Sequence, residues 1–362
     1  MSATDPTIDP AANAPQPRTV AALVCGGSAV LLLSLLALLP VPYAVESPGP
    51  VRDTLGEVDG VPLIEVSGAP TYPTEGSLAL TTVRISGGPG TGVSLPQVVR
   101  AWLDPTRVAV PEEVVFPVGA TSEQVAERDA ADMTTSQENA TAAALAELGV
   151  AVPTTLTVAA VGEGSRAEGL IEAGDVITGV DGAEVADLAD LRSVLQRGSA
   201  GEPVVVALER DGQAQDVSVP TTPGPDGAVQ LGVLVDPVFD FPVDVQIQVD
   251  RIGGPSAGMV FALGVLDVLT PGALTGGRSV AGTGTIDASG QVGTIGGIAQ
   301  KMAGARAAGA SLFLAPAGNC DDVVGHVPAG LQVVPVETLH EAREAVETVA
   351  GGGGEDLPTC SD

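Results

Sequence analysis

The stretch that decides the fold is RIGGPSAGMVFALGVLDV, residues 251–268. Two glycines and a proline lead into Ser256, and an apolar run long enough for a buried helix follows at once. Glycine allows backbone conformations that other residues avoid, and proline suits the first turn of a helix. The pattern therefore predicts Ser256 at a helix N-terminus, where unpaired backbone N–H groups favour developing negative charge. Such a serine is a candidate nucleophile, and the simpler alternative is an N-cap residue without a chemical role.

A second feature of the sequence is its single lysine. The chain has 15 Lys and Arg residues, and of these only Lys301 is a lysine. Arginine stays charged at any ordinary pH, whereas a buried lysine can lose its proton and act as a general base. A lysine that remains in a chain whose other basic residues are all arginine is therefore a candidate for a role that arginine cannot fill. Chance survival of one surface lysine is the alternative.

The two candidate residues lie in two recognisable motifs. Ser256 stands in the run G-P-S-A-G at 254–258, and Lys301 ends the segment GTGTIDASGQVGTIGGIAQK at 282–301. In their residues, their order and their separation, these motifs resemble those of the Lon-type Ser–Lys proteases. The resemblance implies that Ser256 is the nucleophile and Lys301 the general base.

The same resemblance implies roles for neighbouring residues. Thr283 is expected to help hold the lysine. The supporting residues around the serine are expected to be Gly254, Pro255 and Ala257. One departure stands beside them, because many relatives carry an acidic residue where this chain has Gly253.

Composition limits the classes of function. The net charge of −30 and the pI near 4.1 argue against nucleic acid and anionic lipid as partners, because both need a basic surface. The sequence has no phosphate-binding loop and no zinc spacing, so we expect neither a nucleotide nor a metal or other cofactor. His326 and His340 lack a context that would favour a Ser-His-Asp hydrolase, which remains an alternative.

The N-terminal part predicts a membrane anchor. Residues 1–18 are polar and rich in Pro, Ala and Asp, which indicates a disordered cytoplasmic tail. The mostly apolar residues 20–39 are long enough to cross a hydrocarbon core of roughly 30 Å, so we predict a transmembrane helix over 19–42. With Arg18 inside, the rest of this single-pass protein of the cell membrane would be extracytoplasmic. A cleaved signal peptide is the alternative.

The predicted extracytoplasmic location favours a disulfide between two cysteines. Cys320 and Cys360 are the only cysteines outside the predicted anchor, and an even pair in an oxidising compartment is a disulfide candidate. The bond would tie a flexible tail, 351–362, back onto the domain.

A different module lies in the middle of the chain. The runs GSRA at 164–167, AGDVI at 173–177 and VDG at 180–182, with strands and a helix at 188–195, resemble a bacterial PDZ domain. The resemblance implies peptide binding by strand addition to a sheet edge. It puts a carboxylate-binding loop at 147–150, with Leu148, Gly149 and Val150 as candidate binding residues. A PDZ fold that only positions the protease is the alternative.

Together these segments predict an α+β architecture: a Lon-type proteolytic domain of mixed sheets and helices, a PDZ domain and one transmembrane helix. The predicted order is a tail (1–18), the anchor (19–42), an N-terminal part of the protease domain (50–145), an inserted PDZ domain (146–224), the catalytic domain (225–350) and a flexible tail (351–362).

The function predicted from these parts is a membrane-anchored, ATP-independent serine endopeptidase. Its substrates would be unfolded or loosely folded extracytoplasmic proteins or peptides, which the PDZ domain would bind. The resemblance also suggests a homo-oligomer, commonly a hexamer. Two alternatives stay open: a catalytically silent PDZ scaffold that binds peptides, and a protease that mainly processes its own chain.

Overall fold

The computed structural model describes residues 17–58, 60–224, 227–249 and 252–361. Most of the predicted tail, residues 1–16, lies outside these described residues. The helices in the described part of the chain are α1 (Pro17–Leu38), α2 (Leu95–Leu103), α3 (Glu112–Val115), α4 (Ser122–Glu147), α5 (Leu188–Leu195), α6 (Gly258–Leu269), α7 (Ile298–Ala307), α8 (Cys320–Val323) and α9 (Leu339–Ala350).

The strands are mostly short. In chain order they are β1 (Pro40–Val41), β2 (Tyr43–Asp53), β3 (Glu57–Val58), β4 (Val61–Pro62), β5 (Ile64–Ser67), β6 (Ser77–Ser86), β7 (Val93–Ser94), β8 (Val108–Pro111), β9 (Thr154–Val161), β10 (Val176–Val180), β11 (Ala183–Glu184), β12 (Pro203–Arg210), β13 (Gln213–Pro220), β14 (Thr222–Pro223), β15 (Val229–Gln230), β16 (Val233–Phe239), β17 (Asp244–Ile247), β18 (Ser279–Gly282), β19 (Thr285–Ile286), β20 (Val292–Gly293), β21 (Leu312–Pro316) and β22 (Gln332–Val336).

The chain divides into two compact units. The first comprises the chain up to Pro48 together with Val83–Val125, and the second comprises Gly49–Thr82 with Ala126–Asp362. Within the first unit, β2 pairs antiparallel with β8 and β1 with β7. The amphipathic helix α2 packs its buried Val98 and Ala101 into a small apolar cluster there.

In the second unit, the main sheet has the strand order β22-β21-β18-β6-β2. β6, β18, β21 and β22 run parallel to one another, and Ala281 of β18, for example, lies opposite Phe313 of β21. Parallel strands need long crossover connections, and α7 and α8 with their loops supply those between β18, β21 and β22. The mixed α/β character agrees with the predicted fold class.

Side chains alternate across this sheet, so its two faces carry separate cores. Leu312 and Leu314 of β21 pack in the cluster that contains α6 and α9. Phe313, between them, packs with residues of α7 and α8 in the cluster on the other face. Helices therefore cover both faces of the sheet.

Helix α6 is the centre of the larger cluster. Its first ten residues, from Gly258 to Asp267, are all buried. A helix that is apolar nearly all round is stable only when it is enclosed, and the sequence 258–269 has that composition. The N-terminal end of α6, which follows Ser256, is consequently held in a fixed position.

The PDZ-like part is an antiparallel sheet in the order β13-β12-β10-β9-β16, with β11 beside β10. Its own core contains Leu156, Ile177 and Val206, with α5 packed over it through Leu191 and Leu195. The strand β16 lies beyond the end of the module predicted at 224, yet it pairs with β9 over seven residues. The sheet therefore draws its last strand from the segment that was expected to begin the catalytic domain.

The N-terminal part of the chain was predicted to contain a membrane anchor. Among the described residues, no helix has the length and apolarity needed to cross a membrane. The helix in place of the predicted anchor over 19–42 ends at Leu38, because residues 40 and 41 form β1 and pair with β7.

The predicted flexible tail, 351–362, contacts the rest of the chain at Gly354, Leu357 and Cys360. Gly354 accepts a hydrogen bond from the side chain of Gln332, and Leu357 packs against the larger apolar cluster. The glycines at 351–354 form a turn that brings Leu357 back to the domain, so their composition does not indicate disorder here.

Candidate active site

Ser256 lies in a tight turn directly before α6. Gly254 has a φ of +83°, a left-handed conformation that a residue with a side chain adopts only at a cost. Its N–H donates to the carbonyl of Asp129 at 3.0 Å. The N-cap residue of α6 is Ala257, so the alternative of Ser256 as the N-cap is not what the structure has.

Helix α4 supports this turn from outside the motif. The hydroxyl of Ser136 donates to the carbonyl of Pro255 at 3.0 Å, and Asp129 holds Gly254 as described above. A Cβ at Gly253 would lie 2.7 Å from the Cβ of Asp129 and 3.4 Å from its carboxylate. The carboxylate of Asp129 therefore lies beside Gly253, the motif position at which this chain has no acidic side chain. Burial, and to a smaller extent the nearby Asp132, raises the pKa of Asp129.

The structure brings Ser256 and Lys301 together through Thr283. The Nζ of Lys301 donates to Thr283 Oγ1 at 2.9 Å, and that hydroxyl donates to the backbone carbonyl of Ser256 at 3.0 Å. The N–H of Gly284 donates to the same carbonyl at 2.9 Å. Thr283 is fully buried and Lys301 is 3% exposed, so solvent does not compete for these bonds.

Lys301 is fixed by the start of α7. Gly297, with φ of +67°, is the N-cap residue, and its carbonyl accepts from the N–H of Lys301 at 3.0 Å. The preceding loop is clamped by Asn319, whose amide side chain accepts from the N–H of Ile295 at 2.9 Å and donates to its carbonyl at 3.0 Å. These bonds give the helix that carries Lys301 one orientation.

The two halves of the site are joined by close packing. The N–H of Met259, in the first turn of α6, donates to the carbonyl of Gly284 at 3.1 Å. A Cβ at Gly258 would lie 2.9 Å from Ile286 and 2.9 Å from Ser136, so only glycine fits at this crossing. α6, α4 and the segment from β18 to β19 therefore meet at the serine turn.

The backbone around the serine offers hydrogen-bond donors. Within the described part of the chain, neither the N–H of Ser256 nor that of Ala257 has a hydrogen-bond acceptor. Unpaired N–H groups before the first turn of a helix favour a negatively charged oxygen. A serine hydroxyl, a buried lysine and such donors form a set that can carry out acyl transfer.

Sequence reasoning missed Asp129, Ser136 and Asn319. Asp129 and Ser136 precede Ser256 by more than 100 residues, and Asn319 ends a short 3-10 helix after β21. Their contacts to the site arise only from the tertiary fold, and no local pattern in the sequence marks them.

The predicted carboxylate-binding loop does not have the expected form. The N–H groups of Leu148, Gly149 and Val150 all donate to carbonyls in the last turn of α4, at 2.9 to 3.2 Å. Leu148 packs against the core of the main sheet, whereas Gly149 and Val150 line a cavity of about 850 Å³.

Cys320 and Cys360 form a disulfide in the structure. The bond joins the start of α8 to the end of the described chain, and Cys360 packs against the core on the α7 face of the sheet. Asn319 directly precedes Cys320, so the disulfide lies next to the residue that holds the loop before Lys301.

Comparison with known proteins agrees with both modules. Residues 248–347 match the C-terminal proteolytic domain of Lon protease (S16), and residues 132–221 match the PDZ domain family. Lon protease 2 of Herpetosiphon aurantiacus is 39% identical over 106 residues, 27% of this chain and 13% of that protein. Lon protease 1 of Bacillus subtilis is 34% identical over 122 residues, 32% of this chain and 15% of that protein.

The PDZ part has its own relatives. The serine protease Do-like HtrA of Lactobacillus helveticus is 45% identical over 56 residues, 16% of this chain and 14% of that protein. The crystal structure of the PDZ domain of an SdrC-like protein from Listeria monocytogenes is 18% identical, with a TM-score of 0.21, covering 22% of this chain and 85% of that one. The chain thus spans only about a sixth or less of the length of these curated relatives.

Proposed function

Because the chain carries a Lon-type proteolytic domain together with a PDZ domain, we propose that it is a serine endopeptidase with Ser256 as nucleophile and Lys301 as general base. The observation that carries the proposal is the hydrogen-bonded connection from Lys301 through Thr283 to the carbonyl of Ser256. It places the sole lysine of the chain, buried, beside the serine turn. A surface lysine retained by chance would not be buried in this way.

In the proposed reaction, Lys301 Nζ accepts the proton of Ser256 Oγ while Oγ attacks a peptide carbonyl carbon. The unpaired N–H groups of Ser256 and Ala257 are the candidate donors to the resulting oxyanion. The C–N bond then breaks, and the amine leaves with the proton from Lys301. A water molecule next gives a proton to Lys301 and attacks the acyl carbon. The bond from that carbon to Oγ then breaks, the carboxylic acid leaves, and Lys301 returns the proton to Oγ, which restores Ser256 and the neutral lysine.

The proposed substrates are unfolded or loosely folded proteins and peptides, with the PDZ domain binding them before cleavage. The disulfide between Cys320 and Cys360 supports an extracytoplasmic location, because such bonds persist in oxidising compartments. We also propose that cleavage needs no ATP, since the proposed steps use Ser256, Lys301 and water and include no nucleotide. Assembly into a hexamer stays a prediction of the family resemblance.

The test is degradation of an unstructured protein without ATP by the wild-type chain and by Ser256→Ala and Lys301→Ala. Ser199→Ala, at an exposed position in a turn of the PDZ part, is the matched control and is expected to keep full activity. Both site variants are expected to lose cleavage while they keep the wild-type circular dichroism spectrum. If Lys301→Ala cleaves as fast as wild type, the proposed base is wrong. If the folded wild type fails to cleave, as an oligomer or as a monomer, the chain is a peptide-binding scaffold and not a protease.

A further inference from the structure

The cavity of about 850 Å³ lies between α5 and β16, and we call it the α5–β16 groove. Asp187 to Ala189 and Arg192 line it from α5, residues 234–237 and Phe239 line it from β16, and α4 contributes a third side. A groove between a helix and the edge strand of a sheet can hold an extended peptide. The nature of that peptide follows from the backbone and the charges of the groove.

β16 is the edge strand of its sheet, because in the described part of the chain it pairs with β9 alone. The carbonyl of Gly232 accepts a hydrogen bond from the N–H of Gly162, and the N–H of Asp240 donates to the carbonyl of Pro153. The even-numbered residues of this segment therefore direct their backbone N–H and carbonyl groups towards β9. By the two-residue period of a strand, Val235, Pro237 and Phe239 direct theirs to the other side.

These three residues line the groove. Proline has no N–H to lose and is tolerated in strands at such a free edge, which agrees with the position of Pro237. The remaining N–H and carbonyl groups are available to pair with one more strand. The groove therefore offers main-chain hydrogen bonds to an extended segment of another chain.

The end of the groove near α4 disfavours a carboxylate. The backbone N–H groups of 148–150, which could bind one, are already donated to carbonyls of α4. The C-terminal end of a helix carries partial negative charge, which repels an anion and attracts a cation. The predicted loop therefore offers a free peptide carboxyl terminus none of these three donors.

The side chains that line the groove are acidic. Four carboxylates line it, and they belong to Asp132, Asp187, Asp236 and Asp287. Arg192 is the only cationic residue among the described lining residues, and it lies 3.7 Å from Asp287, which leaves a net negative charge. The charge of Asp236 also contributes to raising the pKa of the neighbouring Glu138, after burial. Lys or Arg side chains are the complement of such a surface.

We propose that the α5–β16 groove binds an extended internal segment of a substrate protein along the free edge of β16, selects Lys or Arg in that segment and does not use a carboxyl terminus. The chain itself is a poor source for the ligand, because it has 45 acidic and only 15 basic residues, and residues 1–16 contain no Lys or Arg. The occupant is therefore a basic segment of a different protein. The proposal deepens the proposed function, since it names the substrate class, and rests on it only for the later cleavage.

Binding can be measured separately from cleavage. The full chain with Ser256→Ala is titrated into four fluorescein-labelled 12-residue peptides, which carry either two central lysines or two glutamines and end in either a carboxylate or an amide. Fluorescence anisotropy is expected to give a dissociation constant about tenfold lower for both lysine peptides, because only they form ion pairs with the groove carboxylates. Amidation is expected to make less than a twofold difference. Higher salt should weaken the binding of lysine peptides.

Three variants test the assignment to this groove. Asp187→Asn and Asp236→Asn are each expected to weaken binding of the lysine peptide about threefold, and Asp216→Asn, on the exposed part of β13, is the control with no effect. Val235→Pro removes an N–H from the free edge and is expected to weaken the lysine and glutamine peptides alike. Tighter binding of the carboxylate-ended glutamine peptide, no binding of any peptide, or equal loss in the Asp216→Asn control would overturn the proposal. None of these outcomes depends on whether the wild-type chain cleaves proteins.

Discussion

The hydroxyl of Thr283 donates a hydrogen bond of 3.0 Å to the backbone carbonyl of Ser256, so the residue that holds the lysine also holds the serine turn. Thr283 lies in the loop between β18 and β19, and it accepts from Lys301 at 2.9 Å. A single side chain thus sets the relative position of two residues that are 45 positions apart in the sequence. Changes at Thr283 should affect catalysis without affecting substrate binding.

Thr283→Val, which keeps the shape but removes the hydroxyl, is expected to lower kcat about 10- to 100-fold. The reason is that Lys301 loses one buried acceptor, and an unmet buried polar group costs about 1–3 kcal/mol. KM should change little, because Thr283 is fully buried. Thr283→Ser is the control and is expected to keep most of the activity. Steady-state kinetics on a peptide substrate check this, and an unchanged kcat in Thr283→Val would show that the bridge is not needed.

Gly254→Ala is expected to reduce activity through backbone strain alone. A Cβ would meet open space at this position, but φ of +83° costs a residue with a side chain about 1–2 kcal/mol. The turn should relax and move Ser256 away from Lys301. Gly272→Ala, in the turn after α6 with φ of +98° and equally open space, is the matched control. Both variants should lower the free energy of unfolding similarly, and only Gly254→Ala should lower kcat/KM per folded molecule.

Reduction of the disulfide between Cys320 and Cys360 is expected to lower the free energy of unfolding by about 2–4 kcal/mol. The bond closes a loop with a sequence separation of 40, and most of its effect comes from restricting the unfolded chain. Thermal unfolding of the full chain with and without a reductant measures the change. Cys360→Ser should show the lower transition temperature in both conditions, and a reductant-induced decrease in that variant would point to another cause.

The ion pair between Asp175 and Arg210 makes the stability of the PDZ part depend on pH. Arg210 binds both carboxylate oxygens at 2.7 Å, and the Asp175 side chain is 1% exposed. These hydrogen bonds from Arg210 lower the pKa of Asp175 below its ordinary value of 3.8. The stabilisation is therefore complete above about pH 3.8 and is lost as the pH falls through the lower value of the folded state.

Asp175→Asn should accordingly lower the free energy of unfolding by about 3 kcal/mol at pH 7, because it leaves the guanidinium without a charged partner. The difference from wild type should shrink as the pH is lowered towards 2. Urea unfolding at pH 7, 4 and 2.5, followed by circular dichroism, measures it. Asp216→Asn, an exposed change in the same sheet, is expected to follow wild type at every pH. A difference that stays constant between pH 7 and 2.5 would contradict this role of the ion pair.

Features of the fold that are encoded by short local motifs could be predicted from the sequence. The placement of Ser256 before α6 and of Lys301 in the first turn of α7 follows from short motifs, in which glycine and proline encode the turns. The helical pattern also predicted α5 with its observed bounds.

Other features have no local signature. The first half of α4, residues 122–135, is mostly polar, and its helix is stabilised by the tertiary contacts of residues such as Met133. The strand β16 has an alternating pattern, but nothing in it shows that its partner is β9 and not the catalytic sheet. Pairing between distant segments is decided by the whole fold, so the edge strand of the groove could not be assigned from the sequence.

The burial of α6 affects when, during synthesis and folding, the arrangement around Ser256 can form. The helix after Ser256 is enclosed by segments that reach from β5 to α9, and the serine turn itself depends on α4, which is made much earlier in the chain. A nascent or partly unfolded chain therefore has the serine but lacks the arrangement around it. We expect catalytic competence to be acquired in the last step of maturation, so that incomplete molecules cannot digest their neighbours during synthesis.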